Sequence, residues 1–327
     1  GRNRTERPVD GCTADRTSAS GNAVQGNDIL KGLAPVKHRL PGQFTRILVF
    51  ALLALQLGAC SSTRLSYQFA DRGVVWWVED YVDLTGEQED ALLQDLRQMR
   101  EWHCQTQLPR YSDWLAELRR EAARGELPPE RIRYHRQQVA AFLDPLTARA
   151  VPVASRLLKS LTDEQVRELI ASMQEQQAEY RREYLDDDTP QEAVDRVAER
   201  TERWLGGLND RQVAIIRQWV ADREGATEAW LEGRGNWQAA FASLLEQRRQ
   251  PDFEDRLMDM IIHYQRYQGD AYQARAEKNA DDIVQLTHNL LVAADDRHWR
   301  HLQEETSDLR QDMVALACPV EPATAAR

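Results

Sequence analysis

The chain has 327 residues, of which 42% are hydrophobic and 29% are charged, so it is long enough to bury a sizeable core. This composition excludes a membrane-embedded bundle and a fully disordered chain. Its formal net charge of −11 argues against binding to nucleic acid, because contact with a phosphate backbone requires clustered Lys and Arg.

The amino-terminal segment has the organisation of a secreted precursor. Residues 1–35 are polar and aperiodic, and we expect them to be a disordered extension upstream of the true translation start. Residues 36–59 are typical of a signal peptide, with a cationic stretch at 37–46 and an apolar run at 47–57. That run is shorter than the roughly 20 apolar residues that a membrane-spanning helix needs. The sequence therefore predicts a cleaved leader.

The end of the leader predicts a lipid anchor. Its last residues and the next one are Leu57-Gly58-Ala59-Cys60. This run resembles the lipobox of bacterial lipoprotein precursors, which implies cleavage after Ala59 and three acyl chains on Cys60, enough for stable anchoring. Ser61 and Ser62 follow, where Asp commonly signals retention in the inner membrane. We therefore expect a protein anchored in the inner leaflet of the outer membrane, facing the periplasm, with 60–64 as its tether. The alternative is a short buried helix that contains a Cys by chance.

The charge of the mature chain also favours a covalent anchor. Residues 1–59 hold eight Lys/Arg and four Asp/Glu, so their removal leaves 34 basic and 49 acidic residues and a net charge of −15. Such a chain would be repelled by anionic membrane surfaces. A lipid explains membrane attachment better than surface charge does.

The remaining cysteines allow a disulfide. Cys12 precedes the proposed start and Cys60 is the predicted lipid site, which leaves Cys104 and Cys318. Two thiols in the oxidising periplasm tend to pair, and this bridge would tie the second helix to the carboxyl terminus. The alternative is two buried thiols that act as small apolar groups.

The mature chain has a helical pattern almost throughout. Apolar residues recur at helical spacing from residue 65 onward without sustained alternation, which predicts an all-α multi-helix bundle of about ten helices. Glycines near 225–236 indicate a hinge, or a boundary between helical subdomains at 65–224 and 225–318. We expect residues 319–327 to be a disordered tail.

The first predicted helix, about 65–83, is apolar around much of its circumference. It contains Trp76-Trp77, which we expect to pack in the core, with a membrane interface as the alternative. Proline is favoured in the first turn of a helix, so Pro109, Pro129 and Pro190 are each expected to open one.

Three later helix starts share one capping device. In each, a capping side chain lies three residues before a Gln that can bond back to the amide of the cap. The pairs are Thr85 with Gln88, Thr162 with Gln165, and Asn209 with Gln212.

Two family resemblances follow from these motifs. The run Asp80-Tyr81-Val82-Asp83-Leu84-Thr85, preceded by Trp76-Trp77 and followed by Leu108-Pro109-Arg110-Tyr111, resembles an uncharacterised family of proteobacterial outer-membrane lipoproteins. That resemblance covers about 61–316 and implies a helical, lipid-anchored envelope protein without supplying an activity. The LTxxQ pairs at 84–88 and 161–165 are also similar to those of small periplasmic stress chaperones related to Spy. The third pair departs from that motif at Asn209, and this chain is much longer than those chaperones.

The only metal-ligand pattern singled out is a pair of histidines. His298 and His301 are one helical turn apart, with Asp295 and Glu305 nearby, although solvated side chains are the favoured interpretation. The sequence has no Gly-rich phosphate loop, G-x-S-x-G elbow or HExxH helix. We expect a non-enzymatic protein without a cofactor that contacts the membrane through its lipid and binds other envelope proteins, as a chaperone or scaffold. The alternative is a metal-dependent or hydrolytic envelope enzyme that uses surface carboxylates and these histidines.

Overall fold

The structure, a computed structural model, describes residues 62–223 and 225–319, and every regular element within them is helical. The predicted all-α fold is confirmed. The predicted leader, the lipobox at Leu57–Cys60 and residues 320–327 of the predicted tail lie outside the described residues. The first helix begins at Ser62, within the predicted tether.

The helices have the following bounds. In chain order they are α1 (Ser62–Gln68), α2 (Ala70–Glu79), α3 (Gly86–Ala122), α4 (Pro129–Ala141), α5 (Leu143–Ser160), α6 (Asp163–Arg181), α7 (Pro190–Leu205), α8 (Asp210–Ala221), α9 (Ala226–Leu245), α10 (Phe253–Ile262), α11 (Asp270–Val292) and α12 (Asp296–Leu316). A π-helical turn, Arg182–Asp186, extends α6, and a 3₁₀ turn, Tyr264–Tyr267, follows α10.

The longest helix is α3, and α12 packs antiparallel against it. Pro109 lies inside α3, so the prediction that it opens a helix is wrong. Proline removes the one hydrogen bond that its nitrogen would donate to the Gln105 carbonyl, at a cost of about 3 kcal/mol. The packing of α3 against α12 outweighs that cost. Pro129 and Pro190 do lie in the first turns of α4 and α7, as predicted.

Two large apolar cores and a small cluster of Val75, Leu92 and Leu93 hold the helices together. The groove core consists of the buried residues Val82, Val151, Leu158, Leu161, Val166, Leu169, Phe241, Leu244, Leu245, Phe253, Leu257 and Met260. The closed core consists of Ala122, Leu127, Val194, Leu205, Ile216, Leu286, Leu290, Leu291 and Leu302. Each core takes residues from before and after position 225, so the two predicted subdomains interleave in the fold.

The glycines near 225–236 have different roles. Gly225 separates α8 from α9 with φ of 71°, a left-handed conformation that favours glycine. Gly233 lies inside α9, where an added Cβ would come within 3.1 Å of the Tyr272 ring. Glycine at this position therefore allows a close approach of α11 to α9.

Residues 65–83 form two helices rather than one, with the junction at Phe69. Val75 anchors α2 against α3 and is only 2% exposed. Trp76 and Trp77 are 62% and 59% exposed, so the expectation that they pack in the core is wrong. Successive residues are about 100° apart around a helix, and the positions after Val75 therefore turn away from α3.

Candidate functional site

The predicted capping residues link helix ends to one another in two places. Thr85 and Thr162 each accept the amide hydrogen of the Gln three residues later, and that Gln accepts the amide hydrogen of the cap. The two glutamines also bond to each other: Gln165 Nε2 donates to Gln88 Oε1 at 2.7 Å, and Gln88 Nε2 donates to Gln165 Oε1 at 3.1 Å. The starts of α3 and α6 are therefore held together by their own caps.

A second capping pair joins the start of α8 to the end of α11. Asn209 and Gln212 form the capping box of α8. Gln212, fully buried, donates to the Leu290 carbonyl at 3.1 Å, and Asn209 donates to the Ala293 carbonyl at 2.9 Å. These bonds satisfy carbonyls at the end of α11, which would otherwise lack partners.

His298 has a structural role in the same contact. Its Nδ1 accepts the amide hydrogen of Asp295 at 3.1 Å, and its Nε2 donates to the Gly207 carbonyl at 3.2 Å. The side chain is 0% exposed, so the expectation of a solvated histidine is wrong for His298. Sequence analysis treated Asp295 as a neighbouring carboxylate and missed that it caps α12, with His298 three residues later in the place of a Gln.

The histidine pair does not assemble a metal site in the described residues. Both ring nitrogens of His298 are engaged with the backbone, and His301 Nε2 lies 3.3 Å from the Arg203 carbonyl oxygen. Within residues 62–223 and 225–319, no group of three or more His, Cys, Asp or Glu side chains is arranged to hold a metal ion.

Cys104 and Cys318 form a disulfide, which is the pairing considered from the sequence. Their Cα atoms are 5.1 Å apart, and the Cys318 amide donates to the Cys104 carbonyl at 3.1 Å. The sequence separation is 214 residues, so the bridge closes a long loop and ties the end of the described chain to the middle of α3.

A buried polar network also lies beside the closed core. Trp114 Nε1 donates to His135 Nδ1 at 3.1 Å, and His135 Nε2 lies 3.0 Å from Glu121 Oε2. Arg131 forms an ion pair with Glu121 and with Glu117. The hydrogen bond from Arg131, helped by the bond from His135, lowers the pKa of Glu121 against the opposing effect of burial. Both ring nitrogens of His135 are hydrogen-bonded within the protein, which indicates a structural role.

An open apolar groove lies above the groove core. It encloses about 770 Å³ and is bordered by α2, α5, α6, α9 and α10 together with the segment that follows α10. Its lining is Trp77, Val78, Tyr81, Val82, Leu146, Thr147, Ala150, Val151, Ala154, Leu158, Leu161, Leu169, Met173, Trp230, Arg234, Trp237, Gln238, Phe241, Leu257, Ile261, Tyr264 and Gln268. Trp77, Tyr264 and Trp230 are the exposed aromatic residues of this lining, at 59%, 43% and 37%.

One charged side chain, Arg234, belongs to the groove lining. It donates to Gln176 Oε1 at 2.8 Å, and its guanidinium carbon lies 4.7 Å from the centre of the Tyr180 ring. Tyr81 donates to the same Gln176 oxygen at 2.5 Å. Three polar atoms of lining residues are buried without a hydrogen-bond partner: Arg234 Nε, Trp237 Nε1 and Gln268 Oε1.

The groove was not among the features predicted from the sequence. A signal was present, because Trp230, Trp237 and Phe241 are seven and four residues apart and share one face of α9. An aromatic stripe of this kind is usually covered by a neighbouring helix. Only the arrangement of α2, α5 and α10 shows that part of the stripe stays open.

The fold and the groove define the chain as an all-helical protein with an open apolar groove. Residues 80–273 match the family of unknown function DUF6279. The match spans more than half of the chain, so the chain belongs to this family. No curated protein and no solved structure matches the chain. The matched range contains the whole groove lining except Trp77 and Val78.

Proposed function

We propose that this chain is a non-enzymatic, lipid-anchored interaction protein of the bacterial outer membrane that faces the periplasm and binds the apolar parts of its ligands in the groove. The single observation that carries the binding role is the groove itself. An apolar concave surface with aromatic side chains at its edge gains free energy when a ligand covers it, at about 25 cal/mol per Å² of apolar area. A chaperone or scaffold of the envelope would use such a surface.

The family match supports a role for the groove. Nearly all of the lining falls within the matched range, as do five of the nine closed-core residues. The family model therefore includes the residues that build the groove.

The anchor is supported by the residues around Cys60. The motif Leu57–Cys60 resembles a lipobox, and none of the helices in the described part of the chain is long and apolar enough to cross a membrane. The first helix begins at Ser62, and its neighbourhood exposes Leu65, Phe69 and Trp76. Exposed aromatic side chains close to a lipid attachment point suit a membrane interface.

The binding role is tested with a neutral fluorescent probe, N-phenyl-1-naphthylamine, and the full-length protein. We expect the wild-type protein to bind the probe and Trp77→Ala to weaken binding about threefold to tenfold, as expected for the loss of one aromatic contact. Trp76→Ala is the matched control, because Trp76 is adjacent, equally exposed and absent from the lining. Failure to bind the probe, or equal loss in both variants, would refute the binding role.

The anchor is tested separately by Cys60→Ala in cells. We expect palmitate labelling and membrane association to disappear, because the thioether cannot form. Labelling that persists at the wild-type level would refute the lipobox assignment while leaving the groove experiment unaffected.

A further inference from the structure

We propose that the ligand of the groove is a long-chain fatty acid, whose acyl chain lies against the apolar walls and whose carboxylate is bound by Arg234. This inference rests on the proposed binding role of the groove and specifies the chemistry of its ligand.

The size and lining of the groove suit one acyl chain. Its volume, about 770 Å³, lies within the range of roughly 300 to 1,000 Å³ that is typical of sites for a single small molecule. Aliphatic side chains from α5 and α6 face aromatic side chains from α9. An acyl chain buries apolar area against both walls, and each methylene group that is buried tightens binding about fourfold.

Arg234 is the feature that selects a negative charge. It is the sole charged residue of the lining, and it makes no ion pair with any residue that the structure describes. An arginine beside an apolar groove binds a carboxylate more strongly than one in water, because the low dielectric strengthens charged hydrogen bonds.

The hydrogen-bonding state of Arg234 leaves room for an acceptor. One guanidinium nitrogen donates to Gln176, whereas Nε is shielded from solvent and has no partner. Trp237, three residues later on the same helix face, also has an indole N–H without a partner. Unpaired donors are unfavourable when they are buried. A carboxylate has two oxygens and accepts a pair of parallel hydrogen bonds from one guanidinium.

The charge balance favours a carboxylate over two other lipid groups. A phosphate head carries more charge and is usually bound by several cationic side chains, whereas the lining contains one. The acyl chains of a lipidated Cys60 would be joined through ester and amide bonds and would bring no negative charge to Arg234. A free fatty acid has one carboxylate for Arg234 and one acyl chain for the apolar groove.

The test compares ligands that share a chain and differ in the head group. Oleate, oleyl alcohol and oleoyl lysophosphatidic acid, each below its micelle-forming concentration, displace the neutral probe from the full-length protein. We expect oleate to displace the probe at a concentration about tenfold lower than oleyl alcohol does, as one charged hydrogen-bond pair would provide. Arg234→Gln should abolish this preference and leave the affinity for oleyl alcohol within about twofold.

Arg223→Gln is the matched control. Arg223 also lies over an aromatic ring, that of Trp219 at 4.4 Å, and also donates to a side-chain amide oxygen, that of Asn279 at 3.0 Å. It does not line the groove, so the variant should keep the full preference for oleate. Thermal unfolding midpoints of both variants verify that each one is folded.

Each outcome separates this inference from the proposed binding role. Equal displacement by oleate and oleyl alcohol in the wild-type protein would overturn the carboxylate assignment and leave the groove as an apolar site. Stronger displacement by lysophosphatidic acid than by oleate would overturn it in favour of a phosphate head group. A preference that survives in Arg234→Gln would show that another cation binds the head group. Absence of any displacement would overturn both proposals.

Discussion

The two cores of this protein differ in whether their apolar surface is covered. Around the closed core, Gln212 and His298 are fully buried, and each bonds to a backbone carbonyl elsewhere in the chain. Beside the groove core, the apolar wall next to Arg234 is open. Buried N–H groups without an acceptor occur at both cores, on Trp219 beside the closed core and on Arg234 and Trp237 beside the groove core. The difference between the two regions therefore lies in the open groove.

This difference indicates which region stabilises the fold and which is available for binding. A buried polar group that bonds within the protein contributes to stability, whereas one that lacks a partner and lies beside an open groove is suited to a ligand. Substitutions in the closed core should therefore change the free energy of unfolding. Substitutions at the groove edge should change binding and leave stability nearly unchanged.

The largest expected effect comes from the disulfide, which supports both regions because it is attached to α3. Cys104→Ser combined with Cys318→Ser should lower the free energy of unfolding by about 3 to 5 kcal/mol, since the bridge closes a loop of more than 200 residues. Urea unfolding of the oxidised protein and of the double variant measures this difference. A change below 1 kcal/mol would show that the bridge adds little to either core.

The next effect compares two capping glutamines in different surroundings. Gln212→Ala should cost about 2 to 4 kcal/mol, because it removes a cap and leaves the Leu290 carbonyl without its bond in a buried place. Gln88→Ala removes the same kind of cap from a half-buried position and should cost about 1 kcal/mol. Equal losses in chemical unfolding would contradict the distinction between the cores.

Lowering the pH should reduce the free energy of unfolding, because Glu121 in the polar network beside the closed core becomes protonated. The hydrogen bond from Arg131 holds the pKa of Glu121 below its usual 4.5, so the folded state binds this proton less readily than the unfolded state. The contribution of Glu121 to stability is therefore complete above pH 4.5 and is lost as the pH falls through the lowered pKa. In Glu121→Gln, the free energy of unfolding should depend less on pH below 4.5 than it does in the wild-type protein. A variant curve parallel to that of the wild type would exclude this group as the cause.

The smallest expected effect on stability is at the groove edge. Trp77→Ala and Trp76→Ala should each change the free energy of unfolding by no more than about 0.5 kcal/mol, because both side chains are largely exposed. Chemical unfolding of the two variants provides the measurement. A loss above 2 kcal/mol in Trp77→Ala alone would mean that Trp77 supports the groove core rather than the opening.

The sequence by itself determined the local structure of the chain. Helical periodicity, the three cap pairs and the prolines at 129 and 190 act within one or two helical turns, and all of them appear at the predicted residues. Pro109 is the exception, because the packing of α12 against α3 exceeds the local cost of a proline.

Only the tertiary structure decided which apolar residues are covered. The pattern around Trp76 and Trp77 is compatible with burial, but α3 and α5 contact α2 through Val75 and leave both tryptophans exposed. The buried role of His298 and the open stripe on α9 likewise depend on helices that are distant in sequence. Burial depends on the surface that a neighbouring helix supplies, and helical periodicity alone contains no information about that neighbour.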